Sequence, residues 1–344
     1  MTPARLALVH GPTPLVRAQV RDEGLALSKL ELWVKRDDAT GGVEAGNKVR
    51  KLEFLLGDAL ARGADHVVTC GGLQSNHARA TAVVCARLGL RCTLLLRVTD
   101  REASGPDRPA PRELLPTSGN VMIDRLVGAE LRLITPADYA ERSACMAAVA
   151  AEIARKGGKP YVIPEGGSNG LGSLGYVEAM AEVRAQLDCG LGGGPTPFEV
   201  VVHACGSGGT AAGVALGARK HKVAGRVRAV IVCDDATYFR KVTDRVVGEA
   251  RGWGGLSSPA PIDFDEDARG PRYGVMTGEQ RAFVVRVARA SGLVVDPVYT
   301  GKALYGLERA AAKGAIRPGA RVLFLHTGGL PGLLAEGDAF AGEL

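Results

Sequence analysis

Aromatic side chains make up only 5% of this chain, too few for a β-sandwich core built on large rings. No apolar run reaches the roughly eighteen residues of a membrane helix, and the opening stretch MTPARLALVHGPTPL lacks the apolar core of a signal peptide. Membrane insertion and export are therefore not expected, and the cytoplasm is the expected compartment. The seven cysteines, Cys70, Cys85, Cys92, Cys145, Cys189, Cys205 and Cys233, are odd in number and contain no CxxC pair. That argues against a disulfide framework or a zinc site and for reduced, mostly buried thiols. Histidine is scarce, with no HxH or HExxH spacing, and His203 and His326 lie in apolar strands where satisfied core imidazoles are the ordinary case. No metal is expected.

The net charge of +6 is spread along the chain, and its densest cluster, KHKVAGRVR from Lys220 to Arg228, has no interleaved aromatics. Nucleic acid is not an expected partner; small anionic molecules are. With 344 residues and 46% hydrophobic content, the chain can build two modest cores, alone or as a homo-oligomer.

The 47 glycines and many short Val/Ala/Leu runs suit tight strand-to-helix turns, hence an α/β fold. Val49, Leu52, Leu56, Ala59 and Leu60 recur near the helical period between Asn47 and about Arg62, before Gly63. HVVTC, RCTLLLRV, EVVVHAC, VRAVIVC and RVLFLHT read as buried strands, and QSNHARATAVVCARLG as a turn and helix. Strands alternating with helices imply parallel sheets, two of them here. The Pro- and charge-rich segment from Thr99 to Gly119 reads as a surface excursion or a disordered linker.

Three places carry chemistry. In AGNKVRKLEFLL, Asn47 is a plausible N-cap, with Lys48 and Lys51 on one side of the first turn. Cations there oppose the helix dipole unless an anion lies nearby or one amine is neutral. In CGGLQSNHARATA, a glycine turn leads into Ser75, Asn76 and His77, a place for a substrate carboxylate or simply for a helix cap. In VVVHACGSGGTAAG, a strand runs into Gly206, Ser207, Gly208, Gly209 and Thr210 and then a small-residue helix, which lets backbone amides approach a phosphate. Gly206, Gly208 and Ala211 also match G-x-G-x-x-A, with Asp234 beyond the next strand, so a nicotinamide-dependent dehydrogenase is the alternative from another class.

GNKVRKLEFLL, GGLQSNHARATA, IPEGGSNGLGSLGY, GSGGTAAG, DPVYTGKALYGL and HTGGLPGL occur here in the order in which they occur in the D-cysteine desulfhydrase and 1-aminocyclopropane-1-carboxylate (ACC) deaminase family. The resemblance covers nearly the whole chain. It implies a two-domain fold type II pyridoxal-phosphate enzyme, similar to tryptophan synthase β, each domain a largely parallel open sheet flanked by helices. Residues 1–51 and 164–344 would form the larger, cofactor-binding domain and 52–163 the smaller inserted one, with a homodimer as the assembly.

By the same resemblance, Lys48 holds pyridoxal 5'-phosphate as a Schiff base, and Lys51 with Gly206, Ser207, Gly208, Gly209 and Thr210 contacts the phosphate. Asn76 is similar to the residue that bonds the ring 3′-oxygen. Ser75 and His77 lie where a small amino-acid substrate is handled, and Tyr273 and Tyr299 resemble the two active-site tyrosines. Ring-opening deaminases carry glutamate after the second tyrosine, facing the pyridine nitrogen, where this chain has Thr300, and usually glutamine where it has His77. Thr300 would then contact the cofactor through a neutral hydrogen bond to that nitrogen, which leaves the ring a weaker electron sink, enough for β-elimination with a good leaving group. The expected reaction is D-cysteine to pyruvate, ammonia and sulfide, with L-cysteate sulfo-lysis, another elimination or racemisation as alternatives and ACC deamination less favoured. Lys48, freed by the substrate amine, would remove the α-proton, its pKa lowered by burial and by Lys51. Tyr273 or Tyr299 would assist the leaving group or brace the substrate.

Overall fold

The computed structural model describes residues 3–99, 102–253 and 255–344. In chain order its strands are β1 (Leu15–Arg17), β2 (Glu31–Arg36), β3 (His66–Gly72), β4 (Arg91–Arg97), β5 (Glu130–Ile134), β6 (Pro160–Val162), β7 (Phe198–Cys205), β8 (Ala224–Ile231), β9 (Ile262–Asp265) and β10 (Arg321–His326). Its α-helices are α1 (Asn47–Ala61), α2 (Asn76–Arg87), α3 (Gly119–Leu126), α4 (Pro136–Ala140), α5 (Arg142–Arg155), α6 (Gly170–Asp188), α7 (Gly209–Lys220), α8 (Ala236–Arg251), α9 (Gly278–Ser291), α10 (Thr300–Ala312) and α11 (Leu330–Ala335). Among the described residues, no helix is long and apolar enough to cross a membrane.

Two sheets form, as the alternation of strands and helices implies. The larger has the order β1-β2-β10-β7-β8-β9 and is parallel except for β1, which runs antiparallel to β2. The smaller, β5-β4-β3-β6, is parallel throughout. Helices cover both faces of such sheets, which is why VVVHAC and VLFLH are apolar without alternation and are buried at every position. Helix α1 runs straight through residues 51 and 52, where the smaller domain was expected to begin. The strand read in VRAVIVC starts earlier, at Ala224, and stops at Ile231; beyond it Asp234 takes left-handed backbone (φ 47°), which a short polar side chain tolerates.

The helices carrying the site pack at very short range. A Cβ on Gly175 of α6 would collide with the Arg50 carbonyl of α1, and one on Gly213 of α7 with the Ser173 carbonyl of α6. Beneath α1 lies a buried polar cluster. Asp37 accepts hydrogen bonds from Arg50 (2.7 and 2.8 Å), Tyr176 (2.8 Å) and Thr13 (2.9 Å), while Glu182 pairs with Arg50 and Lys35. Burial alone would raise the Asp37 carboxyl, but Arg50 and Lys35 hold it below the usual range.

In the segment from Thr99 to Gly119, residues 100 and 101 lie outside the described residues. From 102 to 118 it is a surface excursion, tied to the outer strand of the smaller sheet: Ser104 and Gly105 donate to the Leu133 carbonyl at 2.9 Å and Ala110 to that of Leu131 at 2.7 Å. Arg132 reaches back to the Pro106 carbonyl at 2.8 Å.

Candidate active site

The N-cap of α1 is Gly46, not Asn47. Its φ of 131° favours glycine, and it offers no side chain to the first turn. Asn47, already helical, donates its Nδ2 to Thr210 Oγ1 (3.3 Å) and so ties α1 to α7. Lys48 follows, half-buried; burial brings its amine down to about 8, against the opposing pull of Glu165 and Cys205. Lys51, one turn on, is fully buried, and desolvation together with Lys48 pushes it well below the ordinary lysine range. Its Nζ donates to the Gly166 carbonyl at 3.0 Å.

Helix α2 begins at the QSNH turn. Ser75 is its N-cap, accepting from the Ala78 N–H at 3.2 Å, so the cap reading holds while the hydroxyl proton stays available. Asn76 Oδ1 accepts from Asn120 Nδ2 (3.1 Å), which leaves the Asn76 amide N–H groups to donate. Thr69 gives its proton to the Ile163 carbonyl (2.8 Å), so His77 Nε2, 2.9 Å from Thr69 Oγ1, must be the donor and Nδ1 the bare nitrogen. Burial and the two lysines keep this imidazole neutral, far below the usual histidine range. Arg79, on the next turn, donates to the Val43 and Ala45 carbonyls (2.6 and 2.8 Å), holding the loop that leads into Lys48.

From the other side β7 delivers GSGGT. Gly208 (φ 77°) is the N-cap of α7 and has no capping side chain, so the first amides of a twelve-residue helix lack intrahelical partners. Ser168 links this loop to Lys51: its Oγ donates to Ser207 Oγ (2.8 Å), accepts from Gly209 N (3.2 Å) and lies 3.5 Å from Lys51 Nζ. A Cβ on Gly206 would press on the Tyr299 ring at 2.9 Å.

Tyr299 is the N-cap residue of α10, and Tyr273 sits on the turn closed by Arg272 and Val275. Their hydroxyls meet at 2.6 Å with the rings edge to face. Lys302 fixes that turn to α10 by donating to the Arg269 and Arg272 carbonyls (2.7 and 3.0 Å). Thr300 is fully buried and its one hydroxyl proton goes to Asp296 Oδ1 at 2.5 Å, so it has none to give a ring nitrogen, contrary to the expected hydrogen bond.

One cleft brings these elements together. Lys48, Ser75, Asn76, His77, Gly206, Ser207, Gly208, Thr210, Tyr273 and Tyr299 line it; Lys51, Gly209 and Thr300 stand behind its wall. Sequence reading missed Glu165 and Cys205, which also face the cleft. Glu165 accepts from Tyr139 (2.6 Å) and pairs with Arg142 (2.8 Å), while burial keeps the Cys205 thiol protonated, up at about 12. The available signal for Glu165 was its place before Gly166 and Gly167, both left-handed, in IPEGGSNG.

Residues 6–328 match the family model described as pyridoxal-phosphate dependent enzyme. The chain is 42% identical to the mitochondrial bifunctional D-cysteine desulfhydrase/1-aminocyclopropane-1-carboxylate deaminase of Arabidopsis thaliana, over 97% of its own length and 80% of that protein's. It is 38% identical to the D-cysteine desulfhydrase of Yersinia enterocolitica, covering 96% of this chain and 95% of the other. The crystal structure of an ACC deaminase homologue superposes with a TM-score of 0.84 at 34% identity, covering 99% of this chain and 97% of that one.

Proposed function

Because the chain belongs to the pyridoxal-phosphate dependent enzyme family, within its D-cysteine desulfhydrase and ACC deaminase branch, we propose that it is a carbon–sulfur lyase that eliminates the β-thiolate of D-cysteine. Its cofactor is pyridoxal phosphate, and the dehydrogenase alternative is set aside. The residues present fit the cofactor: the uncapped N-terminus of α7 suits a phosphate, Asn76 has N–H groups to spare for a ring oxygen, and Lys48 lines the same cleft. When bound, pyridoxal phosphate supplies the electron sink that makes the substrate's α-proton removable.

Lys48 is the base in this reading. An amine near 8 is partly neutral at physiological pH and can take the proton from Cα. The free hydroxyl proton of Ser75 and the start of α2 receive the substrate carboxylate. Tyr273 and Tyr299 close the same cleft with a shared hydrogen bond. The observation that favours elimination over ring opening is Thr300: a neutral hydroxyl, committed to Asp296, stands where the resemblance puts the carboxylate of a deaminase.

The partner we propose is a second copy of this chain. Leu126, Val294, Leu330 and Leu334 are 52–75% exposed on the neighbouring elements α3, α11 and the segment before α10, an apolar area suited to a subunit contact. The test of function is the absorption spectrum of the purified protein on addition of D-cysteine, with sulfide assayed in the same cuvette and ACC in a parallel one. A responding visible band with sulfide released supports the lyase; 2-oxobutyrate from ACC without sulfide overturns it.

A further inference from the structure

The two tyrosines share one short hydrogen bond but stand in different fields. Arg97 ends β4 opposite Gly72, whose missing side chain lets the Tyr273 ring lie against the strand, 3.2 Å from where a Cβ would be. The guanidinium lies 5.6 Å from the centre of the Tyr273 ring and 4.9 Å from that of Tyr139. Among the described residues it makes no hydrogen bond or ion pair. Arg97 is not among the residues lining the cleft, whereas Tyr273 is, and so is Glu165, to which Arg97 is linked through Tyr139.

Tyr299 has a carboxylate instead. Asp296 Oδ2 accepts the Tyr299 backbone N–H at 2.9 Å, which places a fixed negative charge at the base of that residue. Other ionisable groups near the pair are Cys233, a neutral thiol shared by both; Glu165, bonded to Tyr139 and Arg142, whose negative charge opposes Arg97 at Tyr273; Lys302, whose Nζ bonds the Arg272 carbonyl; and Lys48 and His77 in the same cleft. A cation on one ring and an anion beside the other make the two phenols unequal.

We propose that Arg97 is a positioning residue that makes Tyr273, rather than Tyr299, the proton-releasing member of the pair. As the Cβ–S bond breaks, its electron pair stays on sulfur and the Tyr273 O–H proton moves to that sulfur. The phenolate left behind is held by the Tyr299 O–H, faces Arg97, and regains its proton from water. Burial raises both phenols, Tyr273 to about 12 and Tyr299 well beyond the usual range; after burial their shared hydrogen bond, which lowers Tyr273 and raises Tyr299, separates them most, with Arg97 and Asp296 adding in the same sense. The proton-transfer step rests on the elimination proposed above; the order of the two phenols does not.

The test uses holoenzyme containing 3-fluorotyrosine, whose fluorine acidifies the phenol and brings the titrations within a range the folded protein tolerates. Tyr273→Phe and Tyr299→Phe assign the two fluorine resonances. Tyr273 is to titrate first, and Arg97→Gln is to raise its midpoint by about one pH unit while Arg97→Lys restores most of it. On D-cysteine, Arg97→Gln is to lower kcat by about tenfold with KM changed less than twofold, and Arg97→Lys is to recover it. Titration of Tyr299 first, or an Arg97→Gln protein with unchanged Tyr273 midpoint and kcat, overturns the proposal. A wild type that releases no sulfide overturns the elimination step alone, and the fluorine titration still decides the order of the phenols.

Discussion

Thr300 and Asp296 satisfy one another: the Thr300 hydroxyl donates to Asp296 Oδ1 at 2.5 Å, and the Asp296 N–H donates to that hydroxyl at 2.8 Å. The hydroxyl's one proton is committed, so a lone pair is what it has left. A glutamate in its place would set a second carboxylate against Asp296 in a site closed to water. Thr300→Glu is expected to lower the sulfide-release kcat by about tenfold, ~1.4 kcal/mol, and to reduce Tm. An unchanged rate in the steady-state assay removes Thr300 from the reaction.

Lys48 must be neutral to capture an aldehyde. Its amine is held at about 8, so the rate at which cofactor-free protein takes up pyridoxal phosphate should climb as pH rises through 8 and level off above. Stopped-flow absorbance from pH 6.5 to 9.5 reads this directly. Lys48→Ala should retain no covalent cofactor on denaturing mass spectrometry and lose at least ~10³-fold in activity; full activity in that variant ends the role assigned to Lys48.

The buried pair of Asp37 and Arg50 supports the helix that carries Lys48. Asp37→Asn leaves Arg50 short of its counter-charge and should cost about 3–5 kcal/mol in urea unfolding. A loss below 1 kcal/mol would mean that Glu182 and Lys35 rearrange to compensate.

Much of this was legible in the sequence. Asn47–Ala61 and the strands ending at Gly72 and Cys205 follow from periodicity and glycine punctuation, which are local signals. The cap of α1 was misread because Asn47 has the chemistry of an N-cap, whereas Gly46 is required by φ, which composition does not encode. Glu165 and Arg97 were overlooked for a different reason. Each gains meaning from partners far along the chain, Arg142 and Tyr273, and no spacing rule brings those together.

Two fully or nearly buried imidazoles should make the protein acid-sensitive. His203 is lowered to about 4 and His77 further below the usual value, both chiefly by burial. Between pH 6.5 and 4 the unfolded chain binds these protons and the native one does not, so stability falls as pH falls through that window. His203 alone accounts for up to ~3 kcal/mol of the loss. Calorimetry of His203→Gln should show a flatter decline of Tm with pH; an identical slope sinks the assignment.

If Leu334 and Leu126 meet a second subunit, Leu334→Glu should shift the mass seen by light scattering from dimer to monomer at micromolar concentration. A monomeric wild type would exclude that assembly.

The excursion from 102 to 118 has a consequence for the life of the protein in a crowded solution. By occupying the Leu131 and Leu133 carbonyls it denies the margin of the smaller sheet to any foreign strand seeking to extend it. Its prolines, Pro106, Pro109, Pro111 and Pro116, cannot themselves serve as a template for such growth, since each lacks the N–H that strand addition needs. A stretch that reads as a surface excursion thus covers an edge open to aggregation, and a chain shortened there would be expected to keep its cleft and lose its shelf life.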